Sequence, residues 1–168
     1  MRVPFRKPGK YSQIKSDPLL TEGKLNELKN KLDRLKNASQ PHAIEEVKRL
    51  AELGDFSENM EYQLAKGKLR GINDAITKTE NQLKHAVVIN PQQQIDTVQL
   101  GHKVTVESAG KEKTYQILGS SETNPHKGII SYSSPIGMAL IGRKMGETIK
   151  IKIGDNEVAY KIIKISKA

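Results

Sequence analysis

Between residues 62 and 86 the chain places apolar or small side chains at alternating spacings of three and four: Tyr62, Ala65, Leu69, Ile72, Ile76, Thr79, Leu83 and Ala86. That period is the seam of a coiled coil, sustained over more than three heptads. An upstream segment answers it with Leu25, Leu28, Leu32 and Leu35, then resumes after an interruption with Ile44, Val47 and Ala51. Pro41 falls at the interruption; it has no N–H to give to the helix, and predicts a kink there. Thr21 predicts the N-cap of the first helix and Gly54 the residue that stops it. Only a few residues separate the two helices, so they must pack antiparallel as a hairpin. At 1.5 Å rise per residue the hairpin is a rod about 40–50 Å long, able to reach into a narrow opening or to serve as a dimerising arm or spacer.

After Asn90-Pro91 and the glutamines Gln92, Gln93 and Gln94, which read as a linker, the period changes to two. Residues 103–107, 113–118, 148–153 and 157–165 predict strands, 128–131 another short one, and Gly154-Asp155-Asn156 a hairpin turn. Ser134-Pro135 pairs a helix cap with a proline at the first helical position, opening a short helix through Ile141 that Gly142 ends. The predicted class is α+β: an N-terminal antiparallel coiled-coil hairpin, then an antiparallel sheet folded around one short helix. The expected divisions are a basic, disordered arm over 1–20, the hairpin over 21–90, a linker over 91–97 and the second domain over 98–168.

Charge refines this picture. The 168 residues hold 28 Lys and Arg against 19 Asp and Glu, a formal net charge of +9. Residues 1–20 have 5 basic and 1 acidic side chains, 21–90 have 12 and 11, and 91–168 have 11 and 7. Within the near-neutral hairpin, Lys66, Lys68 and Arg70 lie in a stretch from 63 to 73 with no acidic residue, a local cationic patch. A solvated helix face and a nucleic-acid contact both fit such a patch. Residues 1–20 are broken by Pro4, Pro8 and Pro18 and hold no apolar run of signal-peptide length, and no apolar run approaches a bilayer span. With no cysteine there is no disulfide framework, thiol nucleophile or Cys-ligated metal, and a cytoplasmic protein is expected.

Conventional catalytic signals are sparse. His42, His85, His102 and His126 are widely spaced without a paired ligand pattern, the glycines of the second domain form no phosphate-binding loop, and Ser134 is better explained as a helix cap than as a nucleophile. The connection between the helices, from Gly54 to Tyr62, reads Gly-Asp-Phe-Ser-Glu-Asn-Met-Glu-Tyr. Asp55 and Glu58 have the spacing of a capping box, with Asp55 on the N–H groups of the second helix and Glu58 reaching back. Both carboxylates would also be displayed at the extreme end of a long rod.

That turn, followed by Ala65-Lys66, resembles the signature of the bacterial Gre transcript-cleavage factors, GreA and GreB. The resemblance extends to Leu20-Thr21-Glu22-Gly23, to Pro41, and to Ser134-Pro135-Ile136 with Ala139-Leu140-Ile141-Gly142, covering residues from about 20 to 165. It implies a transcription elongation factor that rescues backtracked RNA polymerase. The coiled coil enters the secondary channel of the polymerase, and a C-terminal FKBP-like domain docks at its rim. The tip acids then stimulate the polymerase's own cleavage of the extruded RNA 3′ end. By the same resemblance Asp55 and Glu58 help to hold a catalytic Mg²⁺ shared with the polymerase and bound only in the complex. Asn59 and Tyr62 shape the tip, Lys66 contacts the extruded RNA, and Lys68, Arg70, Lys48 and Arg49 extend that contact. Ser133, Ser134 and Pro135 touch the polymerase rim.

The chain is therefore expected to activate another enzyme and to have no catalysis of its own. Its partners are bacterial RNA polymerase and the nascent RNA 3′ end, with no membrane, and the free protein is expected to be a monomer because an intramolecular hairpin needs no partner helix. Three rivals remain. A Gre-like inhibitor would occlude the same channel without promoting cleavage. A prolyl isomerase or chaperone would need an aromatic-lined pocket, yet residues 95–168 offer only Tyr115, Tyr132 and Tyr160. A nonspecific nucleic-acid binder would leave the acidic tip unexplained.

Overall fold

The computed structural model describes residues 17–54, 59–90, 96–153 and 156–167. Its N-terminal half is a helical hairpin: strand β1 (Leu19–Leu20), helix α1 (Glu22–Arg34), a π-helical turn (Leu35–Ser39) and α2 (Gln40–Glu52) form the outgoing arm, and α3 (Met60–Lys84) the returning one. Thr21 caps α1, its hydroxyl accepting the Lys24 N–H at 3.2 Å. Contacts between the arms run in opposite order along the chain. Lys36 pairs with Glu80, the Gln40 amide donates to Asn73 at 2.8 Å, and Lys68 meets Glu46 at 3.0 Å, so the arms are antiparallel. The 25 residues of α3 span about 37 Å, a little less than the sequence led us to expect.

Pro41 acts differently from the expected kink. It cannot donate to the Asn37 carbonyl, and the chain takes a wider turn just before it, in which the Gln40 N–H reaches back to the Leu35 carbonyl. That turn holds one more residue than an α-helical one, so the apolar seam advances by one position beyond it. The side chains facing α3 are then Ala43, Val47 and Leu50, one position beyond the 42, 46 and 49 of an unbroken continuation; of the expected Ile44, Val47 and Ala51 only Val47 faces inward. Ala43 and Leu50 are 1% and 3% exposed, whereas Ile44 is 49% exposed. On α3, Ala65, Ile76 and Thr79 are buried, with Tyr62, Leu69, Ile72 and Leu83 half-buried beside them. Thr79 satisfies its hydroxyl within the helix by donating to the Ala75 carbonyl at 2.7 Å.

The base of the hairpin is closed by β2 (Val87–Val88), which pairs in parallel with β1. Residues 17–20, included in the basic arm on sequence grounds, therefore belong to the folded body, and Leu20 is completely buried. A short apolar pair can be ordered by a partner far along the chain, which local composition does not reveal.

The second domain is a five-stranded sheet in the order β5-β4-β3-β7-β6, built from β3 (His102–Ser108), β4 (Lys111–Leu118), β5 (Ile129–Ser131), β6 (Thr148–Ile153) and β7 (Asn156–Lys167). Three of its pairings are antiparallel, but β4 and β5 run parallel, so the sheet is mixed where an antiparallel one was expected. The connection 119–128, with 3₁₀ turns at Ser120–Glu122 and Pro125–Lys127, carries the chain back to the start of the edge before β5 begins. Helix α4 (Pro135–Leu140) packs Leu140 into a core with Val98, Val104, Val106, Ile117, Ile149, Ile151, Ile162 and Ile165. Ile162 and Ile165 lie three positions apart, an odd offset, and would point to opposite faces of a regular strand. A register shift opposite Thr105 and Val106, where Thr105 pairs with Lys164 but Val106 with Ile162, lets both face inward. Ile153 pairs with Asn156, and the expected turn residues Gly154 and Asp155 lie outside the described residues. Among the described residues no helix is long and apolar enough to cross a membrane.

Candidate functional site

Two local choices define the end of the hairpin. Gly54 comes just after Leu53, the C-cap of α2, with φ of 76°, a left-handed conformation that a glycine adopts without strain, and its N–H bonds to the Ala51 carbonyl at 3.3 Å. Asn59 opens α3, its side-chain oxygen accepting the Tyr62 N–H at 3.1 Å. The cap that the spacing of Asp55 and Glu58 suggested is therefore made by Asn59. A cap belongs to the residue just before the first helical one, and α3 begins at Met60. Asp55 and Glu58 themselves lie outside the described residues; Gly54 and Asn59, which bracket them in sequence, stand at the same end of the hairpin.

The basic residues near this end divide into two kinds. Lys66 is exposed on α3, about 9 Å along the axis from Met60, with its ammonium 5.5 Å from the centre of the Tyr62 ring. Among the described residues it has no carboxylate partner, and neither do the exposed Arg70, Lys48 and Arg49. Lys68 is committed to Glu46 on the opposite arm, and the bonded ammonium holds the Glu46 carboxyl below its ordinary range. Tyr62 is half-buried at the first seam position and supports Lys66 from beneath, so it serves the packing of the hairpin and the placement of a cation together.

In the second domain Ser133 and Pro135 are exposed and Ser134 is half-buried. Ser134 caps α4 by accepting the Gly137 N–H at 3.0 Å while its own hydroxyl donates to the Ser131 carbonyl at 2.7 Å. The Ser133 hydroxyl lies 2.7 Å from that of Ser131 and 3.2 Å from that of Ser120. The same segment carries exposed apolar side chains that sequence reasoning passed over, Met138, Ile141 and Met145. Their signal was present: a helix as short as α4 can bury only one side, and Leu140 takes it.

The histidines stay apart from any shared site. His42, His85 and His126 are exposed, and His102 is buried with Nδ1 accepting the Gln99 N–H at 3.3 Å. Among the described residues no three His, Cys, Asp or Glu side chains gather as metal ligands. Tyr115, Tyr132 and Tyr160 belong to or pack against the core, and the hollows lined by Lys24, Glu122 and Lys127 or by Asp96, Lys144 and Ile165 contain no aromatic side chain. An isomerase pocket of the kind weighed above has no counterpart in these hollows.

Comparison with known proteins agrees with this architecture. Residues 18–88 match the family model described as "Transcription elongation factor, N-terminal", and residues 92–167 match "Transcription elongation factor, GreA/GreB, C-term". The transcription elongation factor GreA of Macrococcus caseolyticus is 37% identical over 155 residues, covering 90% of this chain and 98% of that protein. GreA of Treponema pallidum is 35% identical over 153 residues, covering 89% and 94%. Among solved structures, GreA factor homolog 1 (Gfh1) of Thermus thermophilus covers 89% of this chain and 99% of its own at 23% identity with a TM-score of 0.41. A GreA/GreB factor from Nitrosomonas europaea covers 90% and 99% at 17% identity with a TM-score of 0.40. Those two likenesses are too distant to carry residue roles. With both halves of the chain matched, this protein belongs to the GreA/GreB family of transcription elongation factors.

Proposed function

We propose that this chain binds bacterial RNA polymerase, inserts its hairpin into the secondary channel and stimulates the polymerase to cleave backtracked RNA. Support comes first from the tip. Asn59 makes the helix cap, so the fold does not require Asp55 or Glu58 for that task, and two acids stand in the connection of a rod about 37 Å long. The donor set fits Mg²⁺, a hard cation that takes carboxylate oxygens and keeps several waters. When bound, the ion would stabilise the attacking and leaving oxygens of phosphodiester hydrolysis. Asp55 and Glu58 would supply one or two of its oxygens, too few for a tight site without the polymerase, so the chain activates and does not cleave alone.

Lys66 would neutralise phosphate on the extruded strand. Such a contact is sequence-independent, which suits a factor that acts on any transcript. Lys48, Arg49 and Arg70 can extend it, whereas Lys68 would first have to leave Glu46. Ser133, Ser134 and Pro135 would contact the polymerase rim, with Met138 and Ile141 giving apolar surface in the same stretch. A cytoplasmic monomer in the free state fits these roles.

The test uses stalled, backtracked polymerase complexes carrying labelled RNA. Addition of the protein with Mg²⁺ should release short 3′ fragments quickly, and only when polymerase is present. Slowed nucleotide addition without fragment release would make the protein a channel-blocking inhibitor instead.

A further inference from the structure

The junction between the hairpin and the sheet domain is built from two helix starts that cap each other. At the start of α1, Thr21 is the N-cap, and the third helical position, which supplies the reaching-back carboxylate in a capping box, is Lys24. The carboxylate comes from the other domain. Glu122 accepts the Thr21 N–H at 2.6 Å through one oxygen and the Thr21 hydroxyl at 2.7 Å through the other. At the start of the 3₁₀ turn holding Glu122, the cap position is Gly119, which has no side chain to offer. Asp17 fills that role from the hairpin side, accepting the Ser120 N–H at 2.7 Å while its second oxygen accepts the Leu19 N–H at 3.0 Å. Between these bonds the backbones touch: a Cβ at Gly119 would run into the Leu19 carbonyl.

We propose that this reciprocal capping is a lock that holds the hairpin at one angle to the sheet domain, which makes Asp17, Gly119 and Glu122 positioning residues for the distant tip. Carboxylates bonded to backbone N–H groups are strong and directional, and here each domain supplies the acid that the other lacks. The geometry demands such a device. With a lever of about 37 Å, a tolerance of about 0.5 Å at a reacting centre corresponds to roughly 1° at the junction, and a hinge swinging by about 10° would carry the tip some 6 Å. The Ser120 hydroxyl also lies 2.9 Å from that of Ser131 and 3.2 Å from that of Ser133, so the lock is continuous with the segment proposed to meet the polymerase. The positioning role rests on the cleavage activity proposed above; the lock does not.

The chain has no cysteine, so Lys78→Cys on α3 and Glu112→Cys on β4, both at exposed positions, allow clean nitroxide labelling of the full protein. Pulsed dipolar spectroscopy of the free protein should give one narrow distance distribution. Glu122→Gln with Asp17→Asn should broaden it at least about twofold, and Gly119→Ala should broaden it and shift its mean, as for a released hinge. Glu122→Gln alone, with folding confirmed by circular dichroism, gives the same reading if a harsher variant unfolds. An unchanged distribution in folded Glu122→Gln/Asp17→Asn overturns the lock. Broadened variants should also lose RNA cleavage while still competing for polymerase. Full cleavage by a broadened variant overturns the positioning role alone, whereas absence of cleavage by the wild type overturns the proposed function and leaves the lock standing.

Discussion

Gly67 and Gly71 lie one helical turn apart on the exposed surface of α3, far from either end of a helix that runs from Met60 to Lys84. A Cβ built on either meets nothing within 4 Å, so alanine there gains no packing and suffers no clash. The effect is then confined to the backbone. Alanine has fewer unfolded conformations to lose, and a glycine inside an exposed helix costs about 0.5–1 kcal/mol relative to it. Each gain arises from the backbone of its own residue and a methyl group is too small to add much to its i,i+4 neighbour, so the double substitution should stabilise the hairpin by about 1–2 kcal/mol. For a chain of this size that raises Tm by about 3–6 °C if the whole molecule unfolds together. Far-UV circular dichroism during heating and urea unfolding would follow the helices, and amide exchange along α3 would localise the gain. Lys66 and Lys68, which flank Gly67, keep their positions, so RNA cleavage should persist. A lowered Tm, or no slowing of exchange in α3, would refute the premise that these glycines sit in a regular, unstrained helix.

The remaining expectations address the seam, the cap and the cross-arm pair. If the π-helical turn advances the seam, Leu50→Ala should cost about 2–4 kcal/mol and the exposed Ile44→Ala under about 1 kcal/mol; equal costs in urea unfolding would contradict the shifted register. Asn59→Ala should lose about 1 kcal/mol as α3 gives up its cap, and Asn59→Asp should restore most of it, whereas an unaffected midpoint would move the cap elsewhere. Lys68 lowers the pKa of Glu46, first by its hydrogen bond and then by its charge, so the pairing stabilises the fold above the unfolded-state pKa of the carboxyl and ceases to do so as pH falls through the lowered value. Lys68→Ala should move the Glu46 titration, followed by NMR, back up toward its ordinary range; an unmoved titration would mean that another charge lowers it.

Much of this architecture was legible in the sequence because its signals are periodic and local. The alternation of three and four from Tyr62 to Ala86 could only be a helix seam, and Thr21, Gly54 and Ser134 stand where helix ends need a hydroxyl or a positive φ. What stayed hidden depends on partners distant in the chain or on one-residue offsets. Pro41 announced an interruption, but not that the helix would widen there by a residue, which moves the inward positions on to Ala43, Val47 and Leu50 and leaves Ile44 outside. The inward turn of both Ile162 and Ile165 requires a bulge set by β3. Asp17 looked like the lone acid of a basic arm, and only the fold brings it to Ser120. At the tip, spacing suggested Asp55 as the cap although Asn59 offers the same chemistry four residues later; helix phase decided between them. The roles of Asp55, Glu58 and Lys66 came from resemblance, and composition alone would have left them as solvated charges.

The central claim is that the tip acids supply chemistry to an enzyme the hairpin has already reached. Asp55→Ala/Glu58→Ala tests it most directly, with polymerase binding measured by competition against labelled wild-type protein and RNA 3′-end release measured on the same backtracked complexes. The expected result is unchanged competition with cleavage reduced on the order of 100-fold or more, the scale for removing preorganised stabilisation of a developing charge. Cleavage at the wild-type rate by the double variant would contradict the claim, and loss of binding in step with cleavage would reassign the two acids to docking.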